Sequence, residues 1–199
     1  MDNLIALAAA TLVLVMIPGP NVALIVANSI RYGVRMGSVT VLGTTVGVAL
    51  QLATVLLGMA AIIEVAADAL TWIRWAGVVY LIWLGVSTWR EPAEDLRKIN
   101  AAPAVFWRAC MVAAVNPKTL FFNAAFLPQF VPSGGNATMQ LTVVSGVYLT
   151  VLLLGDMLWA LSAGTARQLL EKHAAARNKI TGGFLVAAAI GLALSRRAP

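Results

Sequence analysis

One cysteine and one histidine occur in 199 residues. A lone Cys110 excludes an intramolecular disulfide, a Cys-x-x-Cys redox pair and a thiolate metal centre, so it reads as a small buried apolar residue. His173 sits among lysines and arginines and reads as a solvated loop residue. Without a second histidine there is no His-Glu-x-x-His pair, and no serine–histidine couple inside an apolar segment. An intramembrane enzyme is therefore a remote class, and no metal or cofactor is called for. Charge is scarce as well: 11% of residues are charged and 60% hydrophobic, against about 25% and about 45–50% in a soluble domain. With a mean hydropathy of +0.86, this is the composition of a membrane protein. The net charge of +6 superficially suits nucleic acid, but the basic residues lie in short connections between apolar runs, where membrane topology accounts for them. No positive region precedes the first apolar run at Leu4, so that run reads as a retained span and not a cleaved signal.

Six candidate spans follow: about Leu4–Ala27, Ser38–Ile63, Leu70–Thr88, Ala109–Phe130, Met139–Ala163 and Ile180–Ser195. Most have the ~20 residues needed to cross ~30 Å of hydrocarbon. The last is short, with Gly182-Gly183 near its start, and an origin near Ala174 is an alternative. Arg31 and Arg35, then Arg90, Arg97, Lys98 and Arg108, then Arg167, Lys172, Arg177 and Lys179 fall on one side. Only Arg74, Arg196 and Arg197 fall on the other, where Glu64 and Asp68 also lie. The positive-inside rule then puts the odd-numbered connections in the cytoplasm and both termini outside. Arg196-Arg197 is the discordant signal and keeps a five-span reading open. Trp89 and Trp107 bracket the longest connection, where an interfacial aromatic belt belongs.

Two of these spans are interrupted, at Pro18-Gly19-Pro20-Asn21 and at Asn116-Pro117-Lys118-Thr119. Broken backbone is tolerated at membrane depth only where it is buried in protein or lines a wet cavity. Paired breaks in corresponding positions of two halves point to a transporter's binding site. Here the halves are about 1–98 and 99–199, and three spans in each make the expected fold all-α with a 3+3 inverted repeat and broken helices 1 and 4.

Counting residues inward at 1.5 Å each places Pro18 ~21 Å from the outer boundary and Pro117 ~12 Å from the inner one. Asp156 comes out ~22 Å from the outside, so a lysine, an acid and both breaks share one layer in the cytoplasmic half. Half-helix N-termini at Pro20 and Pro117, with Asn21, Asn116 and Lys118, suit a carboxylate. Carbonyls near Met16 and Val115, or Asp156, suit an ammonium, and together the layer suits a zwitterion. Other readings stand beside these. Pro18-Gly19-Pro20 reads equally as a structural kink, Lys118 as a lysine snorkelling toward headgroups, and Asp156 as half of an ion pair with Lys118. An intramembrane acid is nonetheless a functional residue by default, which makes Asp156 the candidate for proton coupling. Gln51 counts ~20 Å from the inside, outside that layer, and reads as a helix–helix hydrogen bond; Asn123 has the same ambiguity. Gly43-x3-Gly47 reads as a small-residue packing surface, and Gly33-x3-Gly37 as a turn.

Taken together, Pro18-Gly19-Pro20-Asn21, Gly33, Gly37, Gly43, Trp75-Ala76-Gly77, Tyr80-Leu81, Trp83-Leu84-Gly85, Asn116-Pro117-Lys118, Phe121-Phe122 and Phe126-Leu127-Pro128-Gln129-Phe130 resemble the lysine-exporter (LysE/RhtB) family of bacterial amino-acid exporters. The resemblance covers about residues 4–131, and Asn123 departs from the apolar residue expected there. It implies six spans in the inner membrane, export of amino acids or close derivatives, and energy from the proton-motive force. The leading expectation is thus an amino-acid exporter exchanging substrate for protons, with Pro18, Gly19, Pro20, Asn21, Asn116, Pro117, Lys118 and Asp156 around the substrate. Its partners are the amino acid, protons and the lipid bilayer, and a chain this small suits a homodimer. The alternatives are an exporter of another small solute or cation, or a passive channel.

Overall fold

A computed structural model of the protein describes residues 2–58, several positions between 75 and 90, and residues 102–131, 137–170 and 174–194. Every regular element among them is helical. Helix α1 is Asp2–Met16, α2 Pro20–Tyr32, α3 Val34–Gly58 and α4 Ala102–Ala114. Helix α5 is Pro117–Phe121 and runs on as a π-helical turn, Phe122–Phe126, and a 3-10 turn, Leu127–Phe130. Helices α6, Ala137–Leu170, and α7, Ala174–Leu194, complete the chain. The described positions between Trp75 and Arg90 are helical too. Most of the expected third span lies outside the described residues, as do Glu64, Asp68 and His173.

Both interruptions are present. Residues 17–19 separate α1 from α2, which meet at 59°, and Val115 and Asn116 separate α4 from α5. The element bounds differ from the sequence expectation at several ends. The first connection is almost absent, because α2 runs to Tyr32 and α3 starts at Val34. Gly33 makes that corner alone at φ 91° and ψ 171°, a region essentially closed to residues with a Cβ. Helix α4 begins at Ala102, so much of the expected loop before Arg108 is helical, and α7 begins at Ala174, with Gly182-Gly183 inside it.

Among the described residues, two helices are long and apolar enough to cross a membrane, within Val34–Thr54 and Met139–Arg167. The bent α1–α2 pair makes a third if it is one span. Helices α4 and α7 contain shorter apolar stretches. The long helices are apolar on both faces, as lipid requires: Val41 and Val48 of α3 are buried while Leu42 and Leu50 are half exposed.

Glycine sets the register between α3 and α4. A Cβ at Gly43 would lie 2.4 Å from the Phe106 carbonyl oxygen, and one at Gly47 2.3 Å from that of Cys110. The expected packing surface is therefore real. The next residue on this stripe, Gln51, reaches the Ala114 carbonyl. Because both series advance by four residues in the same sense, α3 and α4 run parallel. Elsewhere Tyr148 of α6 stacks on Phe122 at 5.3 Å, within an apolar cluster that includes Leu7, Val15, Val48 and Leu152. Ala160 and Ala163 of α6 pack against Ile25, Val22, Val26 and Ile30 of α2.

Candidate functional site

The two breaks touch. Asn116 caps α5: its side-chain oxygen accepts from the Lys118 backbone N–H at 3.1 Å, which satisfies one of the donors a helix start leaves unpaired. Its side-chain nitrogen donates to Asn21 Oδ1 at 2.8 Å. Asn21 stands in the first turn of α2, directly after Pro20 at N1, where the missing N–H costs nothing. One buried amide pair thus ties the start of α2 to the start of α5.

The opposite ends of the breaks, the last carbonyls of α1 and α4, are also partnered. Gln51 donates both amide hydrogens, to the carbonyls of Ala114 and Asn116 at 3.1 Å each. Its own oxygen accepts from Asn123 at 3.3 Å. This corrects the depth count, which set Gln51 apart from the breaks. Helix α4 begins at Ala102, seven residues before the expected span start at Ala109, so the second break lies further along its helix than counted and level with Gln51. The glycine stripe of α3 brings the two helices close enough for the amide to reach it. The reading as a helix–helix hydrogen bond holds.

The α1 end is held in a related way. Trp159 of α6 donates to the Val15 carbonyl at 3.2 Å, four residues after Gly155, whose Cβ would lie 2.7 Å from Val15. Val15 and Ala114 each precede the break proline, Pro18 or Pro117, by three residues. Hence each break receives a hydrogen bond from a neighbouring helix, one turn beyond a glycine in close contact with the broken span. Trp159 was not foreseen; a glycine four residues before a polar-headed side chain, as also in Gly47-x3-Gln51, is the signal that marks it.

One difference separates the breaks. The carbonyls of Leu14 and Ile17 accept from the ammonium of Lys118, whereas the donors recorded at Asn116 and Ala114 are neutral amide, hydroxyl and backbone groups. The sequence reading held that carbonyls near Met16 suit an ammonium. They hold one, and it is the protein's own.

Leu14, Val15, Gly19, Asn21, Val22, Asn116, Lys118, Thr119, Leu152 and Asp156 line a cavity of about 20 Å³. That is room for one water molecule, and far less than an amino acid needs. Asp156 is only 3% exposed and, among the described residues, its carboxyl has no hydrogen-bond partner and forms no ion pair within 4 Å with Lys118. The side chain that serves as its expected partner is turned to the α1 carbonyls instead. Of the expected site residues, Gly19, Asn21, Asn116, Lys118 and Asp156 surround this cavity; Pro18, Pro20 and Pro117 shape the breaks without lining it. Gly19 is needed for closeness, since a Cβ there would press on the Lys118 stem at 3.1 Å.

This arrangement, interrupted helices meeting at a polar cavity inside an apolar helical protein, defines a class of membrane translocators. The chain belongs to the LysE type translocator family, whose pattern it matches over residues 12–196. It is similar to the uncharacterized membrane protein YrhP of Bacillus subtilis, 25% identical over 98% of this chain and 100% of that one. A homoserine/homoserine lactone efflux protein of Salmonella typhi is 30% identical over 57% of each chain. A leucine efflux protein of Klebsiella pneumoniae is 26% identical over 71% of this chain and 73% of its own. No solved structure matches the chain.

Proposed function

We propose that this protein exports amino acids or close derivatives from the cytoplasm across the inner membrane, by alternating access around the paired breaks and in exchange for protons. The observation that carries the reading is the Asn21–Asn116 bond. It joins two helix starts beside a buried acid and a lysine, in a protein whose relatives include amino-acid efflux proteins. Substrate carboxylate meets Lys118 and the helix starts at Pro20 and Pro117, and Asp156 carries the proton.

Six spans in a 3+3 inverted repeat fit the same reading. The parallel run of α3 and α4 calls for a return crossing between them, and the described positions between Trp75 and Arg90, all helical, suit that role. The first and fourth spans then run oppositely. The matched contacts, Gln51 on the second break and Trp159 on the first, are what a pseudo-two-fold axis would produce. With ten of the basic residues on one side, the N-terminus lies outside.

Proteoliposomes loaded with amino-acid mixtures test the function. Efflux of one or a few amino acids, accelerated by a pH gradient, is expected. Efflux independent of the gradient indicates a passive channel, and no amino-acid efflux under any gradient refutes the proposal. An intracellular amino-acid profile with and without the protein then identifies the substrate.

A further inference from the structure

The cavity beside the breaks is too small for the solute assigned to it, and Lys118 is one of the side chains that line it. Its ammonium occupies the carbonyls of Leu14 and Ile17 at the end of α1. Asp156, the acid on the cavity wall, is left without a hydrogen-bond partner among the described residues. The Leu14 and Ile17 carbonyls accept from one ammonium, and the Asp156 carboxylate on the same cavity wall adds negative charge beside them. Among the described residues, no such set stands at the other break. There the carbonyls take neutral donors, and the residue three positions before Gln51, the counterpart of Trp159, is no acid: α3 presents the apolar Val48 beside Gly47, where α6 presents Asp156 beside Gly155.

Resting on the export reading above, we propose that Leu14 O, Ile17 O and Asp156 form the seat of the substrate's ammonium group, and that Lys118 fills that seat until a zwitterion displaces it. The physical reason is charge accounting in a dry site. When an incoming ammonium takes the seat, Lys118 must leave, and an unpaired ammonium at this depth is strongly disfavoured. A carboxylate on the same solute gives Lys118 its new partner. An amine without a carboxylate strands Lys118. An acid without an amine draws Lys118 away, leaving the Leu14 and Ile17 carbonyls with no donor and Asp156 with no cation beside it. Only a solute carrying both groups replaces every interaction that it breaks, so Lys118 acts as a tethered competitor that enforces recognition of amino acids over amines and organic acids.

The test is a gain of binding. Wild-type protein in proteoliposomes is assayed for inhibition of amino-acid efflux by the substrate's decarboxylated amine. Lys118→Met removes the competing charge at similar length, and Lys118→Gln keeps a neutral donor for the carbonyls should the Met variant fail to fold. Wild type is expected to ignore the amine. The variants are expected to bind it about ten-fold more tightly or better, as befits release from a charged hydrogen-bonded competitor, measured by direct binding of the labelled amine. Asp156→Asn added to either variant abolishes the gain. Wild type that binds the amine as well as the amino acid overturns the inference, as do folded variants with no gain. Either result leaves the export reading intact if wild type still exports amino acids, whereas absence of amino-acid export removes that reading itself.

Discussion

Gln51→Leu is the sharpest probe of how the second break is held. The substitution keeps size and burial but deletes two donors and one acceptor. It orphans the Ala114 carbonyl and the Asn123 amide and takes one of three donors from the Asn116 carbonyl, which keeps Thr119 Oγ1 and the Leu120 N–H. In water-excluded protein each buried group left unpaired costs about 1–3 kcal/mol. Inside a bilayer the unfolded reference also finds partners, and measured interhelical bonds average about 0.6 kcal/mol. The membrane value governs here, because all three bonds lie between apolar helices. Three bonds then sum to about 2 kcal/mol, or roughly 4–8 °C in the midpoint of a chain this size. Thermal unfolding of the purified protein in detergent reads this directly. The double variant Gln51→Leu with Asn123→Leu should cost less than the sum of the singles. It removes the stranded Asn123 amide together with an oxygen that already lacks a partner. A Gln51→Leu protein with unchanged midpoint and unchanged export would refute the capping role.

Gly47→Val should destabilise, because its branched side chain meets the Cys110 carbonyl and Ala113, and overpacking of this kind costs about 1–3 kcal/mol, visible as lost expression and a lowered midpoint. Gly33→Ala should destabilise by about 1–3 kcal/mol through backbone strain at the α2–α3 corner, checked by the same assay. Asp156→Asn should abolish stimulation of efflux by a pH gradient while leaving the midpoint near wild type. Gradient-stimulated efflux that survives the change removes Asp156 from the coupling. Trp159→Phe should lose the bond to Val15 but keep its packing, and lower stability by about 0.6 kcal/mol.

Much of the architecture could be read from residue order alone. Apolar runs of membrane length, the scarcity of charge and the unequal basic loops follow from how lipid solvates a chain, and each can be assessed one segment at a time. The breaks were equally legible, because Pro18, Pro20 and Pro117 remove backbone donors wherever they stand. Helical rise, which converts residue count into distance, also suggested that Asp156 lies near the breaks, and it lines one cavity with Gly19 and Asn116.

What required the tertiary structure was pairing. Counting along spans put Gln51 outside the polar layer, yet the glycine stripe of α3 carries its amide to the Asn116 carbonyl. Counting could not select between Asp156 and the α1 carbonyls as the partner of Lys118. The role of Trp159 depends on which helix lies against α1. Depth is a property of one helix against the bilayer and is written in its sequence; partnership is set by the azimuth and closeness of two helices. Those depend on side-chain volumes from both, distant in the chain and brought together only by folding.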